Sequence, residues 1–203
     1  MNLFVTALEG LDLTIEYNKC EIPLEFANLD VDKINQLKEY PDLINKMADW
    51  IKAPDVTLIN SLRELAKLIY SIYKDDPIIG MDPMNSFKAY RGFDINSPYQ
   101  NTLGLSVVGE NSIFITPFEE GHVFSYGSED RALSLTTSLD PVAKEFGSTI
   151  VEVNLCSASE DLLFVTDELC YLVATMSNNK KLFTQKEVIL LPSYTKEFKV
   201  IQK

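Results

Sequence analysis

The chain has 203 residues, which is the size of one domain and is long enough to bury a hydrophobic core. Apolar residues make up 46% of it, a share typical of a folded protein and not of a disordered one. The net charge of −12 disfavours non-specific binding to nucleic-acid phosphates and favours a protein partner with a basic face.

The first residues do not resemble a targeting signal. No basic residue precedes the apolar run of residues 1–13, and Glu9 and Asp12 interrupt it. No apolar stretch is long enough to span a membrane, so we expect a cytoplasmic protein without a membrane partner. The three cysteines lie far apart without a CxxC spacing, and the chain has one histidine. These residues predict neither a disulfide framework nor a metal site.

Two short helices are predicted after residue 30. Residues 31–40 and 41–52 each have a helical pattern, and Pro41 separates them. Asp30 or Asp32 is suited to cap the first helix, and proline is well tolerated at the first position of the second.

Residues 54–74 form the clearest helical pattern, with Pro54 and Asp55 in its first turn. Apolar side chains recur at spacings of three and four residues, at Val56, Ile59, Leu62, Leu65, Ala66, Ile69, Tyr70 and Tyr73. A stripe with this period usually packs against a core, so we predict that it is buried.

After these helices the period changes towards two, and β-branched and aromatic residues predominate. Eight strands are predicted, at residues 87–92, 103–109, 112–118, 122–126, 132–138, 149–155, 187–191 and 198–201. A short helix is predicted at 141–146, with Asp140 as its N-cap, Pro141 as its first residue and Gly147 as its end.

Helices followed by strands indicate an α+β fold. No internal repeat and no linker rich in Gly or Ser divides the chain. We therefore predict a single domain at 1–203, with a helical N-terminal part at 1–80 and a β-rich core at 81–203.

Three short polar segments accompany the predicted strands. A Tyr-Arg-Gly segment at 90–92 ends the first strand, Thr-Thr-Ser at 136–138 lies in the strand 132–138, and Gln-Lys-Glu at 185–187 opens a late strand. Each is ordinary by itself, because arginine often ends a strand in solvent and threonine favours the pleated surface. Their occurrence together, in this order, is a more specific signal.

In order and spacing the three segments resemble the Arg, Ser-Thr-Ser and Gln/Glu-x-Glu signature of the bacterial mono-ADP-ribosyltransferase toxins. The resemblance covers residues 85–203 and includes the closing segment 187–201, which is similar to the family's final pair of strands. It implies a helical N-terminal part followed by the two-sheet β core of that family. It also implies a glycosyltransferase that uses NAD as a co-substrate, needs no metal, and attaches ADP-ribose to a macromolecule.

The chemistry of NAD cleavage explains why these residue types are suitable. Loss of nicotinamide leaves an oxocarbenium-like centre on the ribose, and a fixed carboxylate stabilises that charge as it develops. The resemblance assigns this role to Glu187, through the ribose hydroxyls. It assigns Arg91 and Gly92 to NAD binding, and a guanidinium has several fixed donors for pyrophosphate oxygens.

The hydroxyl segment supports that carboxylate. Thr136 takes the position at which the family more often has Ser, and its hydroxyl is expected to donate to Glu187 and hold its rotamer. Thr137 and Ser138 are expected to line the nicotinamide pocket.

Gln185 lies two residues before Glu187, on the same face of a strand. In the family, Glu at this position accompanies arginine acceptors, whereas Gln accompanies amide acceptors in the Rho-modifying exoenzymes and guanine in the nucleic-acid-modifying members. We therefore expect a non-arginine acceptor, because an amide orients a nucleophile but does not remove its proton. The preceding segment, 177–184, is similar to the acceptor-recognition loop, in which Phe183 either contacts the target or anchors the loop.

The leading interpretation is ADP-ribosylation of a cytoplasmic protein by a toxin or a phage-encoded host modifier, with an antitoxin, chaperone or immunity protein as a further candidate partner. Modification of RNA or DNA bases and plain NAD hydrolysis remain alternatives. A different class of function is a non-catalytic interaction domain, in which Trp50 and the apolar stripe form a docking surface.

Phe87 and Phe146 are more suited to core packing than to stacking on NAD, and His122 is more suited to a structural role.

Overall fold

The helices and strands are defined by a computed structural model that describes residues 29–53, 55–80, 86–93, 120–129, 132–144, 147–156, 161–177 and 186–202. The predicted strands at 103–109 and 112–118 lie outside these ranges.

The first two helices form where the sequence predicts them. Helix α1 spans Val31–Lys38, and the Asp30 carboxylate caps it by accepting hydrogen bonds from two backbone amides of its first turn, at 3.0 and 3.3 Å. Helix α2 spans Pro41–Lys52, and its proline lacks only an N–H that the first turn would leave unpaired.

The third helix begins later than its apolar stripe predicts. Asp55 accepts a hydrogen bond from the Thr57 amide at 2.8 Å and starts a 3-10 turn at Val56–Leu58. Helix α3 follows at Ile59–Ile72, and its apolar stripe is buried as predicted except at two positions, Val56 and Tyr70, which are exposed. Trp50 is only 8% exposed. Trp50 and most of the stripe therefore belong to the core, which corrects the expectation that they form a docking surface.

Helix α4 (Asp167–Ser177) lies where the sequence predicts no helix. Residues 168–174 are all buried, and all but Glu168 are apolar. Because the helix is apolar on every side, it lacks the polar–apolar period that marks an amphipathic helix. Helices α1 and α2 both pack against it, so α4 lies at the centre of the helical layer.

Seven strands are described: β1 Phe87–Phe93, β2 Val123–Ser128, β3 Leu133–Thr136, β4 Thr149–Leu155, β5 Leu162–Phe164, β6 Glu187–Leu190 and β7 Tyr194–Gln202. They form one sheet in the order β2-β7-β4-β1-β3-β6-β5, in which the described pairs are antiparallel. The fold is therefore α+β. These strands do not show the predicted division into two sheets.

The sheet has two parts that meet at a single bridge. Strand β1 pairs with β4 along its whole length, from Phe87 to Phe93, but the pairing between β1 and β3 consists of Tyr90 and Thr136. Beyond Tyr90, strand β1 continues beside β4 and leaves β3. A gap therefore opens between the two parts of the sheet next to Arg91.

The segment between β3 and β4 makes a helical turn at Leu139–Ala143, which overlaps the helix predicted at 141–146, and residues 145 and 146 lie outside the described ranges. Asp140 keeps an extended backbone, as an N-cap residue does, and its carboxylate binds Lys144 at 2.6 Å. Strand β3 ends at Thr136, so the rest of the hydroxyl segment follows the strand and is not part of it.

The helical layer covers the end of the sheet that contains β5 and β6. Helix α3 packs on β5, and Arg63 of α3 donates a hydrogen bond of 2.9 Å to the Pro192 carbonyl in the turn between β6 and β7. In the part of the chain that the structure describes, no helix is both long and apolar enough to cross a bilayer.

Candidate active site

Residues from three strands line up in one row across the sheet. Thr136 of β3 is the register partner of Tyr90 on β1 and of Glu187 on β6. Register partners in antiparallel strands project to the same face. Thr136 and Glu187 are therefore direct neighbours on one face, and Arg91 is the residue that follows Tyr90 on β1.

Ser134 connects Arg91 with Glu187. Its hydroxyl donates a hydrogen bond to Oε1 of Glu187, and its carbonyl oxygen accepts one from Nη1 of Arg91. The arginine thus bridges the gap that opens where β1 leaves β3. The predicted cation and the predicted carboxylate are brought together by a residue that the sequence analysis did not select.

The sequence analysis assigns the hydrogen bond to Glu187 to Thr136, whereas in the structure Ser134 makes it. Alternate residues of a strand share a face, so Ser134 is on the same face as Thr136, and the intervening Leu135 is buried on the other. This alternation is visible in the sequence and is the signal that identifies Ser134.

The hydroxyl segment fixes the turn after β3. The Thr136 hydroxyl oxygen accepts a hydrogen bond of 3.0 Å from the Ser138 amide. Thr137 donates to the Lys186 carbonyl through its backbone amide, at 3.1 Å, and through its hydroxyl, at 3.5 Å. Thr136 and Thr137 thus flank Glu187 and the residue before it.

Burial disfavours a negative charge on Glu187, and two neighbouring groups partly offset this effect. The side chain is buried, and this burial raises the pKa of Glu187, while the Ser134 hydroxyl and the positive charge of Arg91 counteract the rise. A carboxylate held in this way interacts strongly with a positive charge that develops next to it, because little solvent screens the interaction.

Lys186 has a strained backbone directly before the buried carboxylate. Its φ is +40°, in the left-handed region that side chains other than glycine adopt at a cost of about 1–2 kcal/mol. The two hydrogen bonds from Thr137 hold its carbonyl in this conformation. The strain is thus maintained at the point where the chain enters β6.

A pocket of about 320 Å³ opens beside this row. Thr137, Lys186 and Glu187 are among the residues at one side of it, and Tyr73 and Glu168 are among those contributed by the helical layer. The volume lies at the lower end of the range for small-molecule sites.

Charges of both signs line this pocket. Lys33 and Lys186 contribute cations, and Asp76, Asp167 and Glu168 are among the acids. Burial and the negative charge of Glu168 raise the pKa of Asp167, and Lys186 partly offsets this. Within the described ranges, no group of three or more His, Cys, Asp or Glu side chains is arranged to hold a metal ion.

The structure describes only some of the other predicted site residues. Gly92 is buried on β1 and pairs with Ile150 of β4, next to Arg91. Gln185 and Phe183 lie outside the described residues, as does most of the predicted acceptor-recognition loop. Their roles stay predictions.

Of the aromatic residues Phe87, Phe146 and His122 considered in the sequence, the structure describes Phe87 and His122. Phe87 packs in the core against Phe164, with ring centroids 5.3 Å apart, as predicted. Phe146 lies outside the described residues. His122 is exposed beside the edge strand β2, with its ring 6.1 Å from that of Phe124 and several strands away from Glu187.

Comparisons of the chain with protein-family models, with curated proteins and with solved structures found no match.

Proposed function

We propose that this protein is a mono-ADP-ribosyltransferase, which cleaves NAD and transfers the ADP-ribose to a protein acceptor. The observation that carries the proposal is the convergence of Arg91 and Glu187 on Ser134. The two residues are 96 positions apart in the chain, and the motif resemblance assigns both to the same reaction.

Glu187 stabilises the transition state. As the bond to nicotinamide breaks, positive charge develops on the ribose, and a buried carboxylate interacts with that charge more strongly than with the uncharged ribose of the ground state. The hydrogen bond from Ser134 fixes the rotamer of Glu187, so the carboxylate is in place before the reaction starts.

Arg91 binds NAD through its pyrophosphate or an adjacent ribose oxygen. A guanidinium has five N–H donors in a fixed plane, and the bond to Ser134 orients that plane at the gap in the sheet. Its charge also favours the ionised form of Glu187, which is the form that the reaction requires.

The acceptor is a protein, and its reactive group is not an arginine. The net charge of −12 favours a protein with a basic face over a nucleic acid, and Gln185 favours an amide-like acceptor. Such an enzyme is suited to act in the cytoplasm as a toxin or as a phage-encoded modifier of its host.

The test is label transfer from NAD. The protein is incubated with a cell lysate and NAD that carries a clickable adenine, and the samples are then treated with protease or with nuclease. We expect label that protease removes, that requires Glu187, and that Glu197→Gln leaves unchanged, since Glu197 is exposed on β7. Label removed only by nuclease would assign the activity to nucleic-acid modification. Equal labelling by Glu187→Gln would refute the assigned role of Glu187.

A further inference from the structure

A second buried carboxylate lies in the helical layer, on the other side of the pocket that Glu187 lines. Glu168, in the first turn of α4, is 7% exposed. Its Oε2 accepts a hydrogen bond from the Tyr73 hydroxyl, and its Oε1 accepts one of 3.0 Å from the Asp30 amide. Glu168 therefore connects the start of α1 and the end of α3 to α4.

Tyr73 is the centre of this network. Its hydroxyl accepts a hydrogen bond of 3.0 Å from Thr166, and Lys33 lies 4.3 Å above its ring. Burial and the hydrogen bond to Glu168 hold the pKa of Tyr73 far above its ordinary value. The hydroxyl consequently stays protonated, and it remains the donor to Glu168 at any pH at which the protein works.

The turn that Tyr73 holds also contacts the candidate active site. Thr166 and Glu168, its two partners, belong to the segment 165–168, which joins the end of β5 to the first turn of α4. At the start of that segment, the Val165 amide donates a hydrogen bond of 2.9 Å to the Glu187 carbonyl. A continuous path of two hydrogen bonds and two covalently linked residues, Val165 and Thr166, thus leads from Tyr73 to the backbone of Glu187.

We propose that Tyr73 and Glu168 are positioning residues for Glu187. They hold the turn 165–168, the turn holds the Glu187 backbone, and the carboxylate is thereby kept at Ser134 and Arg91. The helical part of the chain is then a component of the catalytic unit and not a separate module. The consequence for catalysis rests on the proposed function, whereas the coupling between Tyr73 and Glu187 does not.

The coupling is tested by amide hydrogen exchange, which needs no activity. Tyr73→Phe keeps the ring and removes the hydroxyl, and Tyr70→Phe is the matched control because Tyr70 is exposed on α3. We expect Tyr73→Phe to increase exchange at Val165 about tenfold more than at the amides of β4, which report global unfolding. The control leaves both unchanged. Equal changes at Val165 and β4 would reduce the Tyr73 hydroxyl to a general contribution to stability, and no change at either would show that it does not hold the turn.

The catalytic consequence is tested by the rate of nicotinamide release from NAD. A misplaced carboxylate stabilises the transition state less, so we expect Tyr73→Phe and Glu168→Gln to lower kcat about tenfold, with KM for NAD nearly unchanged. If either variant folds poorly, Thr166→Val serves instead, because it removes only the donor to the Tyr73 hydroxyl and the acceptor of the Leu169 amide.

The outcomes separate the two proposals. If the wild-type protein does not release nicotinamide, the proposed function fails, and the exchange at Val165 still decides the coupling. Suppose that the wild-type protein is active and that Tyr73→Phe increases amide exchange at Val165 without lowering kcat. The positioning role is then wrong, although the proposed function stands.

Discussion

Ser134 donates a hydrogen bond to the Glu187 carboxylate across strands β3 and β6, and its carbonyl binds Arg91. The bond stabilises the ionised form of a buried acid, so it acts on both the geometry and the pKa of Glu187. The strand that carries Ser134 pairs with β1 only at Tyr90 and Thr136, so the contact lies at the boundary between the two parts of the sheet.

Replacement of Ser134 by alanine tests this bond. The hydroxyl lowers the pKa of Glu187, so without it that pKa rises further and the acidic limb of the pH–rate profile moves to higher pH. We also expect kcat to fall about tenfold, since the bond is made to a charged group. The measurement is nicotinamide release as a function of pH, with Ser125→Ala on the exposed side of β2 as control. An unmoved acidic limb would mean that Ser134 does not act on Glu187.

The buried charge of Glu187 also makes a prediction about stability. Because the pKa of Glu187 is raised in the folded protein, protonation favours folding. This contribution is complete below the unfolded-state pKa and is lost as the pH rises through the higher, folded-state pKa. Glu187→Gln removes the charge but keeps an oxygen that accepts from Ser134.

We therefore expect Glu187→Gln to have a larger free energy of unfolding than the wild type at pH 8, with a difference that shrinks as the pH falls. Urea unfolding at several pH values measures it, and Glu197→Gln, on the exposed side of β7, shows no such trend. A variant less stable than the wild type at pH 8 would show that the charge stabilises the fold.

Replacement of Arg91 by lysine separates charge from shape. Lysine keeps the positive charge but not the planar set of donors, so we expect the Kd for NAD to rise about tenfold. Calorimetry in a Glu187→Gln background measures binding without turnover. Arg63→Lys is the control, because Arg63 lies on α3 and binds a carbonyl in the turn between β6 and β7. An unchanged Kd for Arg91→Lys would show that NAD binding does not depend on the planar set of donors of Arg91.

The backbone strain at Lys186 is tested by two substitutions that remove the same charge. Glycine adopts the left-handed region without strain, so we expect Lys186→Gly to be more stable than Lys186→Ala by about 0.5–1 kcal/mol. Urea unfolding gives the difference. At Lys199, an exposed position on β7, the same pair is expected to have the opposite order, because glycine weakens a strand. Equal stabilities at position 186 would mean that the backbone relaxes.

The sequence predicts those elements that have a clear local pattern. The stripe of α3 and the alternation of β4 place both elements correctly, apart from the 3-10 turn that Asp55 starts. Helix α4 was missed because it is apolar on nearly all sides, and β5 because three residues, Leu162–Phe164, are too few to show a period.

The candidate site was predictable in its residues and less so in its contacts. Arg91 and Glu187 follow from a motif, but the bridge through Ser134 depends on where β1 leaves β3, which is set by pairing between distant segments. The link from Tyr73 to Glu187 passes through a turn next to an unpredicted helix, so no local pattern indicates it.

The most direct test of the central claim is the release of nicotinamide from NAD by the purified protein. We predict release by the wild type and by Glu197→Gln, and a rate at least about 100-fold lower for Glu187→Gln, because the carboxylate stabilises charge that forms only in the transition state. Absence of release by the wild type, or an undiminished rate for Glu187→Gln, would contradict the account.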